Sequence, residues 1–108
     1  MKLQTVLEAL TDPNRRRILE LLKSGSMTVG EIGEHFSITG ASLSHHLAKL
    51  KAADLVLSER RGQSIVYSIH TTVFEDVAQA VADLFAVGAP KKSRSKVGGK
   101  RRAQSTES

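Results

Sequence analysis

The sequence contains no cysteine and no tryptophan, and aromatic residues make up only 4% of its 108 residues. Without cysteine there is no disulfide framework, no thiolate metal site and no cysteine redox chemistry. So few aromatic side chains also disfavour a large aromatic-lined pocket for a small molecule. No apolar run approaches the ~18–20 residues that a membrane span needs, and the N-terminus lacks the pattern of a signal peptide. We therefore expect a soluble cytoplasmic protein with no membrane span.

Positive charge is concentrated at the C-terminal end. Residues 1–90 hold 9 Lys and Arg against 10 Asp and Glu, whereas residues 91–108 hold 7 against 1, so the net charge of +5 comes from the tail. The tail has too few large apolar residues to offset its ordering entropy. We predict one folded domain over residues 1–88 and a disordered basic tail over residues 89–108. Such a tail is either a nucleic-acid-binding arm or a solvated segment without a role, and charge alone does not decide.

Two short helices are predicted at the start of the chain. Four apolar residues at positions 3, 6, 7 and 10 share one face of an amphipathic helix. Asp12 is a good N-cap and Pro13 a good first residue for a second helix, which runs to about Lys23.

The next segment predicts two helices joined by a tight turn. Thr28 and Glu31 match a capping box, so a short third helix begins there. Thr39 is placed to cap a fourth helix from about Gly40 to Ala53. On that helix three leucines, at positions 43, 47 and 50, share one face.

The remaining elements are a hairpin and a last helix. The β-rich runs 55–60 and 64–69 flank a loop that contains Gly62, which predicts a β-hairpin. Thr72 and Glu75 match a second capping box, so the last helix is expected to run from there to about Val87. The predicted fold is mainly α with a β-hairpin wing (α+β), in the order α-α-α-α-β-β-α, which is a winged helix-turn-helix.

The fourth helix is the predicted DNA-reading element. It carries no acidic residue between positions 40 and 53, and its exposed side is small and polar, which suits close approach to base edges. The arginines of the hairpin tip are expected to reach the flanking DNA. The predicted DNA-contacting residues are Arg15, Arg16, Thr28, Thr39, Gly40, Ser42, Ser44, His45, Lys49, Arg60, Arg61 and Gln63.

Two clusters have alternative interpretations. His45 and His46 point ~100° apart on a helix, so they cannot chelate one ion from one face. We interpret His45 as a DNA contact and His46 as a partly buried packing residue, and expect no metal site and no cofactor. Arg15, Arg16 and Arg17 oppose the dipole of a helix N-terminus, so phosphate or a local carboxylate should favour them.

The last helix predicts a homodimer. Its apolar positions cover more than half of its circumference, which exceeds what one domain needs. Two-fold symmetry then presents two reading helices to a palindromic operator in double-stranded DNA. The predicted interface residues are Leu3, Val6, Leu7, Leu10, Val77, Val81, Leu84 and Phe85.

The sequence resembles the ArsR/SmtB family of winged-helix repressors over about residues 3–87. The resemblance rests on residues 12–22, 42–51 and 67–69, and residues 71–76 favour the metal-independent, SdpR-type autorepressor branch. It implies a homodimeric bacterial repressor that covers its operator, often its own promoter, and leaves on a signal, such as an unidentified inducer or an anti-repressor protein. The family's metal-ligand positions are unmatched here, and Gly40 stands where many relatives have Gln.

The alternatives to a specific repressor are an enzyme and a non-specific binding module. An enzyme is disfavoured because the sequence has no recognisable nucleophile–base pair and no glycine-rich phosphate loop. The serious alternative is a non-specific DNA-binding or protein-interaction winged helix, whose affinity for nucleic acid comes mainly from the basic tail.

Overall fold

The structure, a computed structural model, describes residues 2–86. Val87, the predicted end of the last helix, and the basic tail at 89–108 lie outside these residues. Within them the elements, in chain order, are α1 (Leu3–Ala9), α2 (Pro13–Leu22), β1 (Met27–Thr28), α3 (Val29–Gly33), α4 (Gly40–Ala52), β2 (Val56–Arg61), β3 (Ser64–Ile69) and α5 (Thr71–Leu84).

Side-chain caps begin three of the helices where the sequence predicts them. At α2 the Asp12 carboxylate accepts a hydrogen bond from the Asn14 amide at 2.7 Å, and Pro13 is the first helical residue. At α3 the capping box is complete, because Thr28 and Glu31 each accept a bond from the other's backbone amide. The predictions for the starts of α2, α3 and α4 are confirmed.

The predicted capping box at the start of α5 is wrong. The helix begins at Thr71, so its N-cap position is His70, and no side chain caps it. Thr72 therefore lies inside the first turn instead of preceding it. The backbone amide of His70 instead donates to the carbonyl of Leu55 at 3.0 Å, which ties the helix entrance to the strand side of the domain.

The wing belongs to a three-stranded antiparallel sheet of order β1-β3-β2, and not to an isolated hairpin. Strands β2 and β3 pair from Val56↔Ile69 to Arg61↔Ser64. The two-residue β1, which the sequence does not predict, pairs with β3 through Met27↔Tyr67. This pairing anchors the wing to the segment that enters the helix-turn-helix.

The core lies between α1, α2, α3, α4 and the base of the sheet. Fully buried side chains come from each of these elements, and α5 packs on the outside through partly buried apolar residues. The buried apolar residues are Val6, Ala9, Ile18, Leu19, Leu22, Ile32, Leu43, Leu47, Leu50, Ala53, Leu55 and Val56.

Candidate nucleic-acid interface

The exposed side of α4 is small, polar and free of carboxylates. Ser44, His45, Lys49 and Lys51 are exposed, while Leu43, Leu47 and Leu50 lie on the buried side. Gly40 is exposed at the first position of the helix, and nothing lies within 4 Å of where a Cβ would stand. Ser42 is half-buried on the flank of this surface. A helix with this surface can approach base edges closely in a major groove.

The hydroxyl oxygens of Thr28 and Thr39 cap two helices, and their O–H groups are still able to donate a hydrogen bond. The hydroxyl oxygen of Thr28 accepts from the Glu31 amide at 3.1 Å, and that of Thr39 accepts from the Ser42 amide at 3.0 Å. A hydroxyl has one donor and two acceptor lone pairs, so each O–H remains able to donate to a phosphate oxygen. Both residues begin helices of the helix-turn-helix, where backbone amides also favour anions.

The tip of the wing presents exposed basic side chains. Arg60, Arg61 and Gln63 are all exposed, and the turn between the strands contains Gly62 with φ 63°. Arg61 forms an exposed ion pair with Glu59, with Nη2 3.0 Å from Oε1. Exposed pairs of this kind contribute about 0–1 kcal/mol, so Arg61 can exchange Glu59 for a phosphate at little cost.

Arg15 has a structural role that differs from the predicted DNA contact. Its guanidinium is partly buried, and its Nε donates to the carbonyl of Ala9 at 2.6 Å, while Nη2 donates to the carbonyl of Glu8 at 3.3 Å. Its Nη1 lies 3.3 Å from Nδ1 of His46 on the buried side of α4. This placement gives Arg15 a structural role between α1 and α4, and a direct contact between Arg15 and DNA stays a prediction.

The carbonyl end of α1 explains why the cluster of arginines is tolerated at the start of α2. Arg16 donates from Nη1 to the carbonyl of Leu10 at 2.7 Å, next to the carbonyls that Arg15 binds. The negative end of one helix therefore offsets the positive end of the next. Arg17 stacks 5.6 Å from the centre of the Phe36 ring. The sequence predicts phosphate or carboxylate partners for these three arginines, whereas the observed partners are backbone carbonyls of α1 and its C-cap and the ring of Phe36. Arg16 stays exposed and remains a candidate phosphate contact.

His46 is a buried packing residue, as predicted, and it faces the start of α2. It is 7% exposed, and its Nδ1 lies 4.0 Å from Oδ1 of Asp12. Burial raises the pKa of Asp12, but hydrogen bonds from the Arg15 and Asn14 amides, together with the charge of the Arg15 guanidinium, hold it below its usual value. The Asp12 cap is therefore anionic at neutral pH.

The predicted dimer residues divide into buried and accessible sets. Val6 has no exposed surface in the protomer, so it belongs to the core and cannot face a partner; this corrects its assignment. Leu10 and Val77 are partly buried against the core, and Leu3 and Val81 are also half-buried. The most accessible members of the set are Leu7 at 44%, Leu84 at 61% and Phe85 at 79% exposed.

Two further properties of residues 2–86 concern metal binding and membrane insertion. Among these residues, no three His, Asp or Glu side chains lie close enough together to hold a metal ion. No helix in this part of the chain is both long and apolar enough to cross a membrane.

A helix-turn-helix with an acid-free second helix, followed by a basic wing, defines a winged-helix DNA-binding protein. The family described as "Bacterial regulatory protein, arsR family" matches residues 12–58. The chain belongs to this ArsR family, whose members are transcriptional regulators; it is a regulator and not an enzyme.

Similar proteins support the same assignment. The chain is 51% identical to the transcriptional repressor SdpR of Bacillus subtilis over 74 residues, which are 68% of this chain and 82% of that protein. It is 32% identical to the arsenical resistance operon repressor of Staphylococcus aureus over 78 residues, covering 72% and 75%. A solved ArsR family transcriptional regulator, RHA00566, superposes with a TM-score of 0.70 at 27% identity, covering 76% of this chain and 84% of that one.

Proposed function

We propose that this chain is a homodimeric repressor that reads a palindromic operator in double-stranded DNA. The observation that carries the proposal is the acid-free exposed side of α4, flanked by the exposed basic tip of the wing. Two-fold symmetry places two copies of α4 in successive major grooves, while each wing lies on the flanking DNA. The protein acts in the cytoplasm, on the nucleoid, and is autoregulatory, covering its own promoter.

Base reading is assigned to Ser44 and His45. Both are exposed on α4, and both carry groups that donate or accept hydrogen bonds at base edges. Lys49, Arg16 and the wing arginines meet phosphates, which positions the protein without reading sequence. Thr28 and Thr39 add hydroxyl donors at the edges of the same surface.

Substitutions on α4 separate specificity from affinity. Ser44→Ala and His45→Ala are each expected to weaken operator binding by about 1–3 kcal/mol while random DNA binds almost as before. Ser24→Ala, at an exposed serine in the turn after α2, is the matched control and should change neither. Fluorescence anisotropy on both DNAs measures the difference. Equal losses on the two DNAs would show that α4 does not read bases.

The basic tail is proposed as a non-specific arm, and its removal separates this from the alternative function. Each neutralised phosphate contributes about 0.9 to the slope of log K against log salt. Deleting residues 91–108, which carry seven cations, should flatten that slope and weaken operator and random DNA by similar factors. If the full chain shows no preference for an operator over random DNA and the deletion removes most of its affinity for both, the chain is a tail-driven binder and not a specific reader.

Release from DNA is proposed to depend on an inducer or anti-repressor protein, and not on a metal. The chain has no cysteine, and α5 carries no histidine after its N-cap position. One equivalent of zinc, nickel or cadmium should therefore leave the operator complex intact in a gel-shift assay. Release by any of these ions, abolished by substitution of a histidine, contradicts the proposal.

A further inference from the structure

One guanidinium joins three helices of the DNA-binding domain. Arg15 extends from the first turn of α2 and donates to two carbonyls at the end of α1, those of Glu8 and Ala9, at 3.3 and 2.6 Å. Its remaining terminal nitrogen lies 3.3 Å from Nδ1 of His46, in the middle of α4. Arg15 therefore links α1, which belongs to the proposed dimer interface, with the helix proposed to read DNA.

The chemistry of the pair fixes the state of the imidazole. A guanidinium only donates hydrogen bonds, so Nδ1 of His46 must present its lone pair, and the ring hydrogen must reside on Nε2. The same pair cannot form when Nδ1 carries a proton. The charged and titratable groups that face this ring are Asp12 and Arg15 from the start of α2, and His45 on its own helix.

We propose that Arg15 is a positioning residue for DNA reading, acting through Nδ1 of His46. His46 and Leu47 are buried on α4 whereas the neighbouring Ser44 and His45 are exposed, so rotation about the helix axis displaces the buried and the exposed residues together. The Arg15 side chain opposes that rotation, because it holds His46 of α4 at a fixed position relative to the last carbonyls of α1. Sequence-specific binding is sensitive to such a rotation, whereas attraction to phosphates is not. This inference rests on the proposed function of α4.

The first test uses the full chain without DNA. Long-range ¹H–¹⁵N correlation spectra of the histidine rings distinguish the two neutral tautomers. We expect His46 in the Nε2–H form, and we expect it to lose this fixed state in Arg15→Lys, whose ammonium does not reproduce the guanidinium fork. A His46 ring with its hydrogen on Nδ1, or one unchanged by Arg15→Lys, overturns the proposal.

The second test measures operator preference in variants of the pair. His46→Leu keeps an apolar contact but removes the acceptor, whereas His46→Asn keeps an acceptor close to the Nδ1 position. We expect His46→Leu and Arg15→Lys to lower operator affinity about five- to tenfold, in line with the loss of one hydrogen bond, with little change on random DNA. His46→Asn should restore most of the preference. The double variant should lose no more than the single variants do.

The outcomes distinguish this inference from the proposed function. If the wild-type chain shows no preference for any DNA sequence, the proposed function fails, and the spectra still decide whether the Arg15–His46 bond exists. If the wild type prefers an operator and His46→Leu retains that preference in full, the positioning role is wrong. Circular dichroism and thermal melting of each variant confirm that a loss of preference is not a loss of fold.

Discussion

The hydroxyl oxygen of Thr39 accepts a hydrogen bond from the backbone amide of Ser42 at 3.0 Å, so a side chain of the turn fixes where α4 begins. Thr39→Ala removes this cap and is expected to lower the free energy of unfolding by about 1 kcal/mol. Thr39→Ser keeps the hydroxyl and serves as the control, with most of that stability retained. Urea unfolding followed by circular dichroism measures both; equal stability of Thr39→Ala and the wild type would contradict the assigned cap.

The opposite end of α4 contains a residue in an unfavourable conformation. Asp54 has φ 60°, and the amides of Asp54 and Leu55 donate to the carbonyls of Lys51 and Leu50 at 2.9 and 3.0 Å. These two bonds form a Schellman motif, whose left-handed position usually holds glycine. Asp54→Gly should therefore raise the free energy of unfolding by up to about 1 kcal/mol, less the extra backbone entropy of glycine. Asp54→Ala, measured alongside it by urea unfolding, should show no such gain.

The Asp12 cap predicts a dependence of stability on pH. Because the folded-state pKa of Asp12 lies below its usual value, its contribution is present above the unfolded pKa of about 3.9 and is lost as pH falls through the folded pKa. Asp12→Asn keeps an acceptor for the Asn14 amide but has no charge to titrate. When the pH falls below about 3.9, the wild type should thus lose more of its free energy of unfolding than Asp12→Asn does. Identical losses would show that the carboxylate charge does not contribute.

The exposed end of α5 predicts the oligomeric state. Of the α5 residues, which the structure describes in full, none is completely buried, and the neighbouring Leu84 and Phe85 are 61% and 79% exposed. Leu84→Glu should give a monomer, because a carboxylate cannot be buried in an apolar interface without a partner. Thr72→Glu adds the same charge to an exposed position on the polar side of the helix and should stay dimeric. Light scattering at micromolar concentration compares the two variants, and a monomeric wild type contradicts the dimer.

Local signals were sufficient for most helix starts. The caps at Asp12 and Thr28 bond to amides within three residues along the chain. The spacing of residue types in the sequence is therefore enough to predict them. The same motif failed at Thr72, because the entrance to α5 is fixed by a bond between His70 and Leu55, fifteen positions apart. Strand β1 was missed for a related reason: its two residues are stabilised by pairing with β3, far along the chain.

The sequence predicts the exposed side of the candidate interface, but not the hydrogen bonds that hold α4 in place behind it. The absence of acids on α4 is visible in the sequence, and the structure exposes that side of the helix. The role of Arg15 was not predictable, because its partners are backbone carbonyls of α1 and a ring on α4. The one available signal was the conflict between three cations and a helix N-terminus, which indicated a negative partner without identifying it.

Selection of bound sequences from a random DNA pool, with the full chain at physiological salt, tests most directly whether two copies of α4 read an operator. We expect enrichment of an inverted repeat whose half-site centres are about 10 bp apart, or a multiple of this, as two-fold symmetry requires. The protein should bind the enriched sites about 10³-fold or more tightly than random DNA. A copy of the enriched site should also occur in the protein's own promoter. A pool that remains random, or that converges on a single asymmetric motif, would contradict a symmetric, sequence-reading dimer.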